Sequence, residues 1–90
     1  MTDKIFISTQ NLAKILFLTT SSLCAATYKE KKLGKAKHNG KFRVDGVRDW
    51  LEFKYIFYKC RYEYSNLTRW HKYMLKYAKS LKRFEDYIAK

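Results

Sequence analysis

The sequence predicts a mainly α fold that carries one small β-hairpin and ends in a helical hairpin or coiled coil. Three observations lead there. Asn39-Gly40, a strong hairpin turn signal, lies inside the cationic stretch GKAKHNGKFR, residues 34–43. Hydroxyl residues that can cap helices precede two short segments in the first third of the chain. From Trp50 onward, apolar residues recur at alternating steps of three and four.

Taking the elements in order, Ile5-Phe6-Ile7 is an apolar lead-in, a short strand or an N-terminal staple. Ser8 or Thr9 can cap a first helix, whose Leu12, Ile15 and Leu16 fall on one face. Phe17-Leu18 makes the turn, and Thr19 caps a second helix expected to run to about Lys32. Leu23 and Ala26-Thr27 would face inward there. Thr20, Ser21, Cys24, Ala25 and Tyr28 would face outward, with Lys29, Lys31 and Lys32 near the end. Such small, hydroxyl-rich side chains suit the major groove, where Ser and Thr bond phosphates or base edges and methyls touch thymine. They are equally ordinary helix filler.

The hairpin comes next, and its register can be argued from parity. A two-residue Asn39-Gly40 loop pairs His38 with Lys41 and Lys37 with Phe42, mixing charge into the buried side. A three-residue loop, His38-Asn39-Gly40, moves the register by one. Lys35, Lys37, Lys41 and Arg43 then share one face, opposite Ala36, Phe42 and Val44. The second register is self-consistent and is the one expected. Four like charges on one ribbon are a solvated face or a phosphate contact, and their position beside two short helices favours the phosphate.

Asp45 is the expected N-cap of a helix beginning at Gly46-Val47. Its first seam reads Trp50, Phe53, Phe57, Cys60, Tyr64; a stricter one reads Leu67, Trp70, Met74, Tyr77, Leu81, Phe84, Ile88. The two fall out of phase at Ser65-Asn66, which carries turn chemistry. A hairpin of helices, about 46–64 and 66–89, is expected over one long helix. Tyr55, Tyr58 and Tyr62 lie off the first seam and need another neighbour. They pack on the N-terminal helices, form a homodimer interface with Trp70, Met74, Tyr77, Leu81 and Phe84, or stack on unpaired bases.

Composition bounds the function. Twenty Lys+Arg against eight Asp+Glu give a net charge of +12, and residues 28–43 carry seven basic groups and one Glu. That field suits nucleic acid or an anionic surface. Hydrophobic content of 47% argues for a folded chain rather than a basic tail. Two cysteines, Cys24 and Cys60, and two distant histidines supply neither a disulfide framework nor metal spacing. Lys14 to Ala26 has the outline of a signal-peptide apolar region. The polar segment before it and the hydroxyl run Thr19 to Ser22 argue for a cytoplasmic protein instead. No membrane association, cofactor, metal or small-molecule ligand is expected. No nucleophile elbow, phosphate-cradling Gly-rich loop or carboxylate pair points to an enzyme.

Residues 7–53 resemble the MerR-like, excisionase-type winged helix-turn-helix family. The resemblance is carried by Ser8 to Leu16, Leu18-Thr19 with Leu23, Lys29 to Leu33, the wing His38 to Asp45, and Val47 to Glu52. Phe17 stands where that family's turn usually has Gly, Ala25-Ala26 where an Arg and an aromatic are common, and Lys31 where a Gly ends the helix. The resemblance implies a winged helix-turn-helix over 1–53 that binds double-stranded DNA, followed by a helical extension over 54–90 for packing or dimerisation. The second helix would supply Thr20, Ser21, Ser22, Ala25, Tyr28, Lys29 and Lys32. The wing would supply Lys35, Lys37, His38, Asn39, Lys41 and Arg43. It further implies a role in transcription regulation or recombination directionality on a phage or mobile element. The competing readings are a small protein-binding module or inhibitor that docks through its C-terminal helices, and an RNA-binding protein.

Overall fold

The computed structural model describes residues 5–89; residues 1–4 and 90, which the expected division of the chain takes in at its two ends, lie outside the described residues. The elements run β1 (Phe6–Ser8), α1 (Thr9–Leu16), α2 (Thr20–Lys29), α3 (Lys31–Ala36), β2 (Lys37–His38), β3 (Lys41–Arg43), α4 (Val44–Ser65) and α5 (Thr68–Ala89). The fold is mainly helical, with one small antiparallel sheet in the order β1-β3-β2.

The apolar lead-in becomes β1 by pairing with β3: Ile7 stands opposite Phe42, Phe6 opposite Arg43 and Ser8 opposite Lys41. Ile7 and Phe42 are both buried, so a three-residue strand suffices to seal the sheet's inner face. Ser8 then caps α1, its hydroxyl accepting from the Asn11 N–H at 3.2 Å, and Thr9 donates to the Gly40 carbonyl at 2.7 Å. The start of α1 is thereby tied to the hairpin turn.

The hairpin register differs from the expectation. Asn39 (φ 51) and Gly40 (φ 76) both adopt left-handed backbone, the requirement of a two-residue I′ turn. His38 pairs with Lys41 and Lys37 with Phe42. The expected register requires a strand reaching back to Lys35, but Lys31–Ala36 is helical. Ala36 is buried as part of α3 rather than through pairing with Phe42. The conflict foreseen for the two-residue loop does not arise, because β2 is two residues long at the sheet edge and Lys37 stays exposed there. No four-cation face forms: Lys35 leaves the ribbon, and alternation along β3 puts Lys41 and Arg43 on the side opposite Lys37.

α1 buries Leu12, Ala13 and Leu16 and ends on Phe17, a left-handed C-cap with φ 58. Thr19 caps α2 as expected, its hydroxyl accepting from the Ser22 N–H at 3.1 Å. The second helix does not continue to Lys32. It stops at Glu30, whose φ of −103 and ψ of 101 are extended, and α3 starts afresh. The break lets Gly34 approach α2 so closely that a Cβ there would lie 2.7 Å from the Thr27 carbonyl oxygen. Glu30 itself reaches Lys54 on α4, with Nζ 2.8 Å from one carboxylate oxygen and 3.4 Å from the other.

α4 begins slightly earlier than expected, with Arg43 as its N-cap. Asp45 sits in the first turn, accepting from the Gly46 N–H at 2.7 Å and pairing with Arg43 at 3.2 Å. The two long helices are separate, as their phase break predicts. Asn66 is a left-handed C-cap (φ 57) whose N–H bonds the Tyr62 carbonyl at 2.7 Å.

The first seam is rotated from its expected place. Val47, Trp50 and Leu51 are buried, and Lys54, Tyr55, Tyr58 and Tyr62 continue that face against α5. Tyr58 stacks on Tyr77 at 5.6 Å and 9°, Tyr62 meets His71 at 4.8 Å, and Trp50 meets Tyr77 edge-on at 6.0 Å. Of the expected seam only Trp50 is buried; Phe53, Phe57, Cys60 and Tyr64 are exposed. Apolar residues are so dense here that two in-phase faces exist. Gly46, whose Cβ would lie 2.7 Å from the Ala36 Cβ, fixes the rotation by pressing α4 onto α3. The second seam holds: Trp70, Met74, Tyr77, Leu81 and Ile88 are half-buried and Phe84 is fully buried, while Leu67 at its start is exposed.

One hydrophobic core joins both ends of the described chain. Ile7, Leu12, Leu23, Leu33, Phe42, Val47, Leu51 and Phe84 are its fully buried members, drawn from every helix and from the sheet. The C-terminal half of α5 lies on α1, where Arg83 Nε donates to the Ile15 carbonyl at 2.8 Å and Asn11 donates to the Tyr87 hydroxyl at 3.2 Å.

Candidate nucleic-acid interface

The outward face of α2 is dictated by its one anchored side. Leu23 is completely buried. Helical periodicity then turns Ser21, Ala25 and Tyr28 away from the core, while Thr20, three residues before Leu23, is left open by its place at the helix start. All four are exposed, Tyr28 at 88% of its surface. Ser22 is also exposed, but its hydroxyl accepts from Thr19 at 3.0 Å and serves the cap. Cys24 is only half-exposed, and its carbonyl accepts from the Thr27 hydroxyl at 2.6 Å.

Every cation expected at the site is exposed, but they are carried by three parts of the chain rather than by the second helix and the ribbon alone. Lys29 ends α2, and Lys31, Lys32 and Lys35 lie on α3. Lys37, Lys41 and Arg43 lie on the hairpin. The Lys32 ammonium sits 5.2 Å from the Phe53 ring centroid. Lys32, Lys35 and Arg43 border a hollow of about 240 Å³ with Asp45 and Asp49, so part of this charge is balanced locally. At the ribbon, His38 stacks against Phe6 at 6.1 Å, and Asn39 Nδ2 lies 3.4 Å from His38 Nε2.

The residues expected to form a dimer or partner interface are engaged within the chain. Tyr58 touches Trp70, Tyr73 and Tyr77, and Tyr55 lies beside Ala78 and Leu81. The apolar surface left over shares only Trp70 with them. Phe57, Cys60, Tyr64, Leu67 and Trp70 border an open groove of about 680 Å³ at the tip of the α4–α5 hairpin, with Arg61 4.8 Å from the Phe57 ring. The sequence places Phe57, Cys60 and Tyr64 in the core because their spacing fits a seam, and the groove was therefore not foreseen.

A second feature is equally hidden in the sequence. Arg69, Lys72, Lys76, Lys79 and Arg83 follow steps of three and four along α5, the same spacing that marks its apolar seam. Beneath the hairpin, the Lys54–Glu30 pair is largely shielded, with 14% and 25% of the side chains exposed. Burial alone would depress Lys54, but the Glu30 hydrogen bond and the nearby charges hold it above its ordinary 10.5. Burial pushes Tyr77 above its ordinary 10.0, against the opposing charge of Lys54.

Among the described residues no group of three His, Cys, Asp or Glu side chains could hold a metal ion, and no helix is long and apolar enough to cross a membrane. Both cysteines are free thiols. No protein-family model, no curated protein and no solved structure matches this chain.

Proposed function

We propose that the protein is a sequence-specific double-stranded DNA-binding protein of the winged helix-turn-helix kind, with α2 entering the major groove and the β2–β3 hairpin acting as the wing. The observation that carries this reading is the outer face of α2. Ser21, Ala25 and Tyr28 form an uncharged, exposed patch of small and hydroxyl side chains, with Thr20 exposed at the helix start and Lys29, Lys31 and Lys32 at the other end. Neutral side chains suit base edges, and a cationic rim suits phosphates. On the family resemblance, the role is transcription regulation or recombination directionality on a phage or mobile element.

Selection of bound duplexes from a random pool, read at two salt concentrations, tests the reading. With roughly five phosphates neutralised, log affinity falls against log salt with a slope of about −4 to −5. Lys37→Ala with Lys41→Ala weakens all duplexes alike, whereas Ser21→Ala or Tyr28→Ala alters the preferred sequence. A flat salt response, or no duplex bound at low salt, ends it.

A second reading has its own support. The exposed groove beside Phe57, Tyr64 and Trp70 is of a kind that protein partners fill, which favours a module docking through its C-terminal helices. In that case the chain forms a stable complex with a protein while the random-duplex pool returns nothing. RNA binding is distinguished by running the same selection with RNA pools.

A further inference from the structure

We infer that one flank of α5 is a second phosphate-tracking surface, which extends the duplex contact beyond the footprint of α2 and the hairpin. This rests on the DNA-binding reading above. Arg69, Lys72, Lys76, Lys79 and Arg83 fall within about 80° of the helix circumference and span about 21 Å of its length, from 3.6 residues per turn and 1.5 Å per residue. That length covers about six phosphates of one B-form strand.

The flank has one sign. α5 contains no Asp or Glu before Glu85, and none of the five cations lies within ion-pair distance of a carboxylate among the described residues. Like charges at these spacings repel one another along a helix. A solvated surface helix ordinarily mixes signs, as the following turn does with Lys82, Glu85 and Asp86. Four exposed cations without a carboxylate partner, Arg69, Lys72, Lys76 and Lys79, with Arg83 anchoring the flank to the α1–α2 turn, therefore point to a polyanion.

Position selects the duplex backbone as that polyanion. Lys76 borders a small hollow with Leu16, the last residue of α1, and Leu18 of the α1–α2 turn. Arg83 is held against the same turn, its guanidinium carbon 4.0 Å from the Phe17 ring centroid. α2 begins at Thr20, immediately beyond. The cationic flank thus runs outward from the point where α2 starts, and a backbone strand passing that end of α2 meets Lys76 and Lys79, then Lys72.

The test uses the full chain, two charge-matched variants and duplexes of about 12 and about 30 base pairs carrying the selected site. Lys72→Gln with Lys79→Gln removes two cations from the flank. Lys59→Gln with Lys82→Gln removes two cations elsewhere. On the longer duplex the flank variant is expected to make the salt slope shallower by about 2, at about 0.9 per lost contact. It should keep the wild-type sequence preference and its binding to the short duplex. The matched variant should behave as wild type on both lengths. Equal losses in the two variants, or an unchanged slope in the flank variant, overturn this inference and leave the α2 reading standing. Equal loss on single-stranded RNA overturns the assignment to duplex. Wild-type protein that binds neither duplex overturns both readings together.

Discussion

Arg83 and Phe17 form a latch between the last helix and the first turn. The Arg83 guanidinium carbon lies 4.0 Å from the Phe17 ring centroid, while its Nε donates to the Ile15 carbonyl at 2.8 Å and its terminal nitrogen to the buried Ser80 hydroxyl at 3.2 Å. Phe17 has φ 58, a conformation that favours glycine, and the residue is 77% exposed. A large side chain thus occupies a strained position with little burial to show for it. Its contact with Arg83 is the interaction that offsets the strain.

Phe17→Ala and Phe17→Gly separate these two effects. Alanine keeps the unfavourable backbone and loses the ring, whereas glycine loses the ring but relieves the backbone. The glycine variant should be more stable than the alanine variant by about 1 kcal/mol in urea unfolding. Equal stabilities would mean that the left-handed cap is not strained.

Phe84→Ala tests whether the chain shares one core. Phe84 is fully buried with residues of α1, α2, α3 and β3, so truncation should cost about 3–5 kcal/mol. Far-ultraviolet and tryptophan signals should still melt together. Loss confined to the α4–α5 hairpin would instead show two independent units.

Gly34→Ala should destabilise by about 1–3 kcal/mol, although alanine is the better helix former. The added Cβ would lie 2.7 Å from the Thr27 carbonyl oxygen, a backbone atom that can move only with α2. A stabilised variant in thermal denaturation would refute the close approach of α3 to α2.

The Lys54 pair predicts the alkaline limb of stability. A raised folded pKa on Lys54 contributes stability that is complete below 10.5 and is lost as pH rises through the folded value. Tyr77 acts in the same direction: an unfolded tyrosine ionises near 10.0 while the buried one holds its proton, so folding weakens above that pH. Unfolding free energy should therefore stay level on their account at neutral pH and fall above about pH 10. Glu30→Gln should cost about 1 kcal/mol at neutral pH, a figure discounted for the pair's partial exposure. Its gap from wild type should close above pH 10.5, as Lys54 deprotonates.

Several elements were legible in the chain because their signals act over a few residues. Ser8 and Thr19 cap the helices assigned to them, Asn66 ends α4 where the seams change phase, and Trp70 to Ile88 line the inner face of α5. The outward residues of α2 were legible through the same periodicity.

Sequence alone determined the helix-rich make-up, the caps at Ser8 and Thr19 and the stop at Ser65-Asn66, since each depends on contacts within about one helical turn, together with the excess of positive charge, which depends on no contact. Tertiary structure decided the hairpin register, the break at Glu30 and the inward face of α4. Each of those offered two locally acceptable solutions, and the choice fell to a distant partner: Ile7 covering Phe42, Thr27 admitting only Gly34, and Ala36 seating Gly46. Long-range packing also set the direction of the cations. Of the cations expected on one ribbon, Lys35 went to α3 and Lys37 to the face opposite Lys41 and Arg43, while Lys76 and Arg83 of α5 came to lie beside the turn that precedes α2.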